Sequence, residues 1–315
     1  MYDADSKGIS YRAGFFMLIA FAVAGVFIAS VISIPVWTQM TGEDFREMEK
    51  GLSNPANRDA VKMIQVITAV IGFLLPVVCT AWLMNRKPFR LMGFGGRMDA
   101  VQVILVFALM IAGLFVSSGL GSLNEIIPLP ASWQTRFENM EKEYIEQVQA
   151  VIQLNSSGQY LLSLFIMAFL PALCEEALFR GGFQNFLSRS TNRPWLSIVI
   201  VSVFFSILHF SYFGFLPRFF LGIVLGAIYY YSGRLWLSIW AHFLNNAVAI
   251  SVLYFFSAGD KPVAETMQEA EGSLWGLLAI PVVIGLLVVF RKQSPPPLAA
   301  PKDPEREELR NTPFY

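Results

Sequence analysis

Charge is scarce in this chain. Only 15% of its 315 residues are Asp, Glu, Lys or Arg, and the 23 acidic and 23 basic side chains cancel. A soluble domain carries about 25% charged residues, so the deficit argues against a water-facing globule. With no net charge, no basic patch points to nucleic acid. Cysteine occurs twice, at Cys79 and Cys174, both in apolar runs. That excludes a disulfide scaffold and a four-cysteine zinc site. Histidine also occurs twice, at His209 and His242, and this scarcity makes each one informative.

What is abundant is apolar surface: 55% hydrophobic residues, 28 Phe and a mean hydropathy of +0.53. Runs long enough to cross a bilayer core, roughly 17–25 residues, recur about eight times. They lie near 13–37, 63–84, 100–121, 159–187, 194–213, 215–232, 235–257 and 273–290. The pattern predicts an all-α, multi-pass transmembrane helical bundle. The first run is too long for the apolar core of a signal peptide and reads as a membrane anchor. Lys and Arg set the orientation. With the N-terminus in the cytoplasm, most of the 23 fall inside, among them Arg86, Lys87, Arg90, Arg97 and the basic residues from Arg291 onward. The acidic segments 122–158 and 258–272 then fall outside, and only 38–62 is mixed. Both termini are expected to be cytoplasmic.

The chain divides into N-terminal membrane helices with an amphipathic outer segment over 1–157, a chemically distinctive core over 158–257, a final membrane helix over 258–290, and a tail over 291–315. The tail is rich in Pro and charge and reads as disordered. In the outer segment, Trp133, Phe137, Met140, Tyr144, Val148 and Val151 recur at steps of three and four over 131–152, the signature of an amphipathic helix. Such a helix is either a lid or surface element in the interface, or a helix packed over the bundle.

The costliest residues lie in Leu170-Pro171-Ala172-Leu173-Cys174-Glu175-Glu176-Ala177-Leu178-Phe179-Arg180. An ionised side chain near a bilayer centre costs several kcal/mol unless it is paired or wet. On a helix, Glu176 and Arg180 are four apart and share a face, with the acid N-terminal to the base; they largely neutralise each other. Glu175 points about 100° away and meets no basic residue along the helix. Desolvation disfavours its charged form, which suits a general base or acid. The same two acids also fit a role as buried anchors, one on Arg180 and one on another helix.

His209 ends the stretch Phe205-Ser206-Ile207-Leu208-His209, and His242 and Asn246 sit one turn apart on one helical face. A lone histidine in an apolar helix is ordinarily a core residue. Here the chain's only two both fall in spans, which weakens that reading. Depth supplies a check. If the fourth helix runs to about Leu187, the turn is near Ser190–Arg193. Glu175 then lies roughly 24 Å before it and His209 roughly 25 Å after it at 1.5 Å per residue. His242 and Asn246 lie roughly 12 and 18 Å past the turn near Arg234. A fourth helix ending at Glu176 would break the match. Pro171 is expected to kink this helix and free a carbonyl.

Glu-Glu-x-x-x-Arg, then Phe-x-x-x-His, then His-x-x-x-Asn, in this order on successive membrane helices, resembles the CAAX-protease and bacteriocin-processing (Abi) family of intramembrane endopeptidases. That family includes the type II CAAX prenyl endopeptidases. The resemblance covers roughly 158–257 and implies a glutamate-type intramembrane peptidase. In that family the residues matching Glu175 and His209 activate water, and those matching His242 and Asn246 stabilise the oxyanion. Glu176 and Arg180 match orienting positions, and Phe205 joins this structural set. The partners so implied are membrane lipid and a hydrophobic peptide or membrane-protein substrate, in a cell membrane, with a prokaryotic plasma membrane as the expected setting and no cofactor.

Two alternatives stand beside this. Two histidines and a glutamate are a catalytic zinc set, so Glu175, His209 and His242 are the residues a zinc version would use, although no His-Glu-x-x-His motif exists. A non-enzymatic immunity or scaffold protein would use the same residues to hold its bundle together. Cys174 reads as packing, because two adjacent carboxylates disfavour a thiolate. Gly222 and Gly226 form a small-x-x-x-small pattern for close packing within the bundle. Gly93-Phe94-Gly95-Gly96 reads as a turn.

Overall fold

The computed structural model describes residues 5–96, 98–152, 156–257 and 272–294. Arg97, most of the acidic segment 258–272 and the tail from 295 lie outside the described residues. The long helices are α1 (Tyr11–Thr41), α2 (Pro55–Met84), α3 (Ala100–Glu125), α4 (Ala131–Val151), α5 (Ser157–Thr191), α6 (Pro194–Ile207), α7 (Phe215–Ser232), α8 (Leu235–Ser257) and α9 (Leu274–Gln293). No strand forms among the described residues; an isolated bridge joins Ser6 to Asn85. The architecture is all-helical, and seven of these helices are long and apolar enough to cross a membrane.

The helices start and stop where side chains satisfy their ends. Ser10 caps α1 by accepting from Ala13 N at 3.2 Å, and Asp99 caps α3 by accepting from Val101 N at 2.8 Å. Ser156 caps α5 at Gln159 N. Gly42 closes α1 and Gly233 closes α7, both with positive φ; glycine takes this left-handed state without a Cβ clash.

The expected span 194–213 is corrected. Helix α6 stops at Ile207 after 14 residues, too short to count among the seven. Phe210 turns left-handed (φ 51°), and Ser206 Oγ donates to Phe215 O at 2.7 Å, pinning the returning chain. The 208–214 loop therefore replaces the last turns of a helix. Non-helical backbone at membrane depth is tolerated where protein or a wet cavity surrounds it.

Helix α5 is continuous but not uniform. Leu164–Phe169 and Ala177–Gln184 are wound as π-helix, on either side of the α-helical Leu170–Glu176. Pro171 has no N–H to bond the preceding turn, and the wider winding spreads the disturbance across the helix. Such π segments concentrate at functional sites. The helix runs through to Thr191, and Asn192 (φ 55°) with Pro194 reverses the chain, in the 190–193 region where the turn was expected.

Two buried clusters organise the interior. One gathers Leu18, Val77 and Ala81 from α1 and α2 with Ala177, Phe179, Phe205 and Ile239. The other gathers Val106, Leu109 and Val116 of α3 with Val224, Leu225 and Ile228 of α7, Leu237 and Ala241 of α8, and Phe290 of α9. Gly222 and Gly226 do pack inside the bundle. A methyl group at Gly222 would lie 2.8 Å from Ser202 Cβ, and one at Gly226 2.9 Å from Ile198 Cγ2. The bare glycine backbone also admits side chains from α5: Arg180 Nη2 donates to Gly222 O at 3.1 Å, and Gln184 Nε2 to Gly226 O at 2.9 Å. Residues four apart on one helix thus bond carbonyls four apart on another. Cys174 is buried against Ala69 and Leu170, as a packing residue is. Gly93, with φ 94°, accepts at its carbonyl from Leu235 N at 2.8 Å, so this glycine stretch is the turn it was read as.

Helix α4 lies across the bundle with one narrow face down. Val151 at its C-terminal end packs into a cluster with Trp37, Ala60 and Val61. Further back, Phe137 stacks on Tyr212 at 4.7 Å and 9°, and Glu141 Oε2 accepts from Ser211 Oγ at 2.7 Å. The helix therefore bridges the N-terminal helices to the 208–214 loop.

Candidate active site

Three elements bring the singled-out residues together: the middle of α5, the C-terminal end of α6 with its loop, and the first half of α8. Glu176 and Arg180 are both fully buried, and Arg180 Nη1 donates to Glu176 Oε1 at 2.7 Å. A buried pair of this kind stabilises only when the remaining hydrogen-bonding capacity is used. Here that condition is met in part: Nη2 goes to the Gly222 carbonyl and the guanidinium carbon lies 4.8 Å from the centre of the Phe205 ring, within cation–π range, while Arg180 Nε and Glu176 Oε2 have no hydrogen-bond partner.

His242 completes this arrangement from α8. It is 3% exposed, and its Nδ1 lies 3.0 Å from the same Glu176 Oε1. A carboxylate only accepts, so Nδ1 carries the proton and the orientation of the ring is fixed. The opposite edge, Nε2, then faces Glu175, with Nε2 to Oε2 at 4.0 Å. The Glu175 side chain retains 16% exposure, and its Oε2 has no hydrogen-bond partner. The two adjacent acids share an unpartnered Oε2 but differ in their charged neighbours: Glu176 is held between a guanidinium and an imidazole, while Glu175 is turned to the free edge of that imidazole.

His209 joins through Phe205 rather than through Glu175. Its Nδ1 lies 2.6 Å from Phe205 O; the carbonyl accepts, which leaves Nε2 with its lone pair. The Phe205 ring meets His209 edge-on at 4.8 Å and His242 at 5.7 Å. Phe205 is 1% exposed and is the wedge against which Arg180 and both imidazoles are set. Asn246 follows His242 by one turn on α8, half-buried, and its Oδ1 accepts from Asn245 Nδ2 at 3.2 Å. It makes no hydrogen bond to either acid among the described residues.

Among the described residues no three His, Cys, Asp or Glu side chains gather to hold an ion. His242 and His209 both use Nδ1 for hydrogen bonds, to Glu176 and to the Phe205 carbonyl, and leave Nε2 as the open ring nitrogen.

Sequence reasoning missed Arg218 and the loop beside it. Arg218 stands in the first turn of α7, within electrostatic reach of both Glu175 and His209, and its Nη1 is buried without a partner. A basic residue four positions into an apolar span was the available signal.

Residues 157–248 match the family described as type II CAAX prenyl endopeptidase Rce1-like. That segment holds every motif residue named above, and the match bears out the resemblance read from the three motifs. It marks a membrane protein with the character of a peptidase family. No curated protein and no solved structure gives a significant match.

Proposed function

We propose that this chain is an intramembrane endopeptidase of the glutamate type, hydrolysing a peptide bond of a hydrophobic peptide or membrane-protein substrate. The observation that carries the reading is the contrast between the acids: Arg180 and His242 occupy Glu176, and Glu175 alone faces the outward edge of His242. Glu175, assisted by His209, takes a proton from water as the water oxygen attacks the scissile carbonyl carbon. His242 Nε2–H and the Asn246 amide hold the resulting oxyanion. The proton on Glu175 then passes to the amine nitrogen, and the carbon–nitrogen bond breaks.

The charges are consistent with this sequence. For Nε2 to donate, His242 must carry both ring protons, with the one on Nδ1 given to Glu176. Ionised Glu175 and Glu176 against Arg180 and that imidazolium then sum to zero, with the Arg218 guanidinium counted outside this group. When Glu175 takes the proton, the negative charge moves to the oxyanion and the total is unchanged, which suits a poorly solvating interior. General base catalysis of this kind contributes about 10²–10⁴-fold. Phe205, Glu176 and Arg180 act by positioning. The expected setting is a cell membrane with both termini cytoplasmic, in accord with the Lys and Arg distribution.

Wild-type and Glu175→Gln proteins in native membranes, compared by mass spectrometry of accumulated peptides, test the reading. Intact substrates that accumulate only in a stably folded Glu175→Gln protein support it. Undiminished proteolysis by that variant refutes it, and loss of folding without a specific loss of turnover points instead to a scaffold. Stoichiometric zinc in the purified active protein, with activity lost to strong chelation, would contradict the metal-free mechanism.

A further inference from the structure

We infer that Arg218 is a substrate-binding residue that receives a carboxylate of the bound peptide close to the scissile bond; this rests on the endopeptidase reading. Arg180 and Arg218 have different surroundings. Arg180 is paired with an acid, bonded to a carbonyl and backed by a ring. Arg218 has no ion-pair partner among the described residues, and its Nη1 is buried with nothing to donate to. The residue is only partly buried, but a guanidinium nitrogen held out of water with no acceptor is unfavourable, and an anion entering the site would relieve it.

The guanidinium is held in place before any ligand arrives. It lies against the Gly214 backbone so closely that a methyl group there would come within 2.6 Å of Cζ. On another side its Cζ is 5.5 Å from the centre of the Tyr144 ring of α4. The backbone N–H groups at the start of α7 are already committed: Gly214 N to Ser211 Oγ, Phe215 N to Tyr212 O and Leu216 N to Asn124 Oδ1, while residue 217 is proline. The side chain of Arg218 is therefore the donor left over at this helix end. A planar fork of N–H donors matches a carboxylate in two parallel bonds. The guanidinium packs against Gly214 of the 208–214 loop, the same loop that carries His209, which sets the carboxylate on the His209 side of the site. The carboxylate comes either from the free end of the peptide or from an Asp or Glu side chain within it.

The test uses binding, so it does not depend on turnover. The full-length Glu175→Gln protein in phosphatidylcholine nanodiscs is titrated with a short fluorescent leucine-rich peptide, as the free acid and as the C-terminal amide. A second pair, both amidated at the C-terminus, carries Glu or Gln internally. The expected result is that one acid-bearing peptide binds at least about tenfold more tightly than its neutral counterpart, as for a hydrogen bond to a charged group. Which pair shows the preference identifies the source of the carboxylate. Arg218→Gln should erase the preference, Arg218→Lys should keep part of it, and Gly214→Ala, which displaces the guanidinium without removing its charge, should weaken it. Equal binding of both pairs by protein retaining Arg218 overturns the proposal, as does a preference that survives Arg218→Gln. Loss of the preference when phosphatidylglycerol replaces phosphatidylcholine would give the site to a lipid phosphate and also overturn it. Failure of the endopeptidase reading shows separately, as undiminished proteolysis by Glu175→Gln.

Discussion

Two neighbouring regions of the interior handle charge in opposite ways. Around Glu176 the charges are paired, although Glu176 Oε2 and Arg180 Nε keep no hydrogen-bond partner: Arg180 and His242 share one carboxylate oxygen, Gly222 O takes a second guanidinium nitrogen, and Phe205 backs the group. Around Glu175 and Arg218 they are not: Glu175 meets only the free edge of His242 at 4.0 Å, and Arg218, with Nη1 buried without an acceptor, forms no ion pair among the described residues. A buried polar atom left unpaired is unfavourable by about 1–3 kcal/mol, and more when charged. Paired charges hold helices together, whereas unpaired ones are sustained by what they bind or convert. The proposed reading gives the first pair a structural role and Glu175 the chemical one.

The largest break in this comparison comes from Glu175→Gln. Removing the base without changing shape should lower turnover about 10²–10⁴-fold, read as initial cleavage rate in lipid, with thermal stability unchanged or improved. On the matched side, Arg180→Ala should destabilise by about 3–5 kcal/mol, because it strands Glu176 in the interior. Unfolding in mild detergent checks this, and pairing the change with Glu176→Gln should recover part of the loss. Gly222→Ala should lose about 1–3 kcal/mol by overpacking against Ser202, and activity should fall with it as α7 moves away from Arg180. The smallest effect belongs to the covering helix. Phe137→Ala removes the stacked contact with Tyr212, worth about 0.5–1.5 kcal/mol. It should speed hydrogen exchange across 208–214 while leaving α5 protected.

Much of the matched side was legible in the sequence. Glu176 and Arg180 are four apart on one helix, and that spacing alone predicts their pairing. The turn at 190–193 was legible too, from Asn192, Arg193 and Pro194. What the sequence could not supply was the register between α5 and α8, which decides that His242 Nδ1 meets Glu176 and leaves Glu175 at its other edge. Register between helices is set by packing, here by contacts such as the edge-on pair of Phe169 on α5 and Phe243 on α8, and has no one-dimensional signature. The early end of α6 was hidden because phenylalanine in a left-handed turn is no propensity signal; Ser211 and Gly214 were the only hints. Amphipathic periodicity predicted α4 as a helix, and its seat on Ser211 and Tyr212 came only from tertiary structure.

The most direct test sets Glu175→Gln beside Glu176→Gln, with midpoint of thermal unfolding and rate of peptide cleavage measured on the same samples. The account predicts a crossed result: Glu175→Gln keeps its midpoint and loses its rate, while Glu176→Gln loses its midpoint because the negative charge that Arg180 and His242 share is gone. A Glu175→Gln protein that unfolds early, or one that cleaves at the wild-type rate, would contradict it.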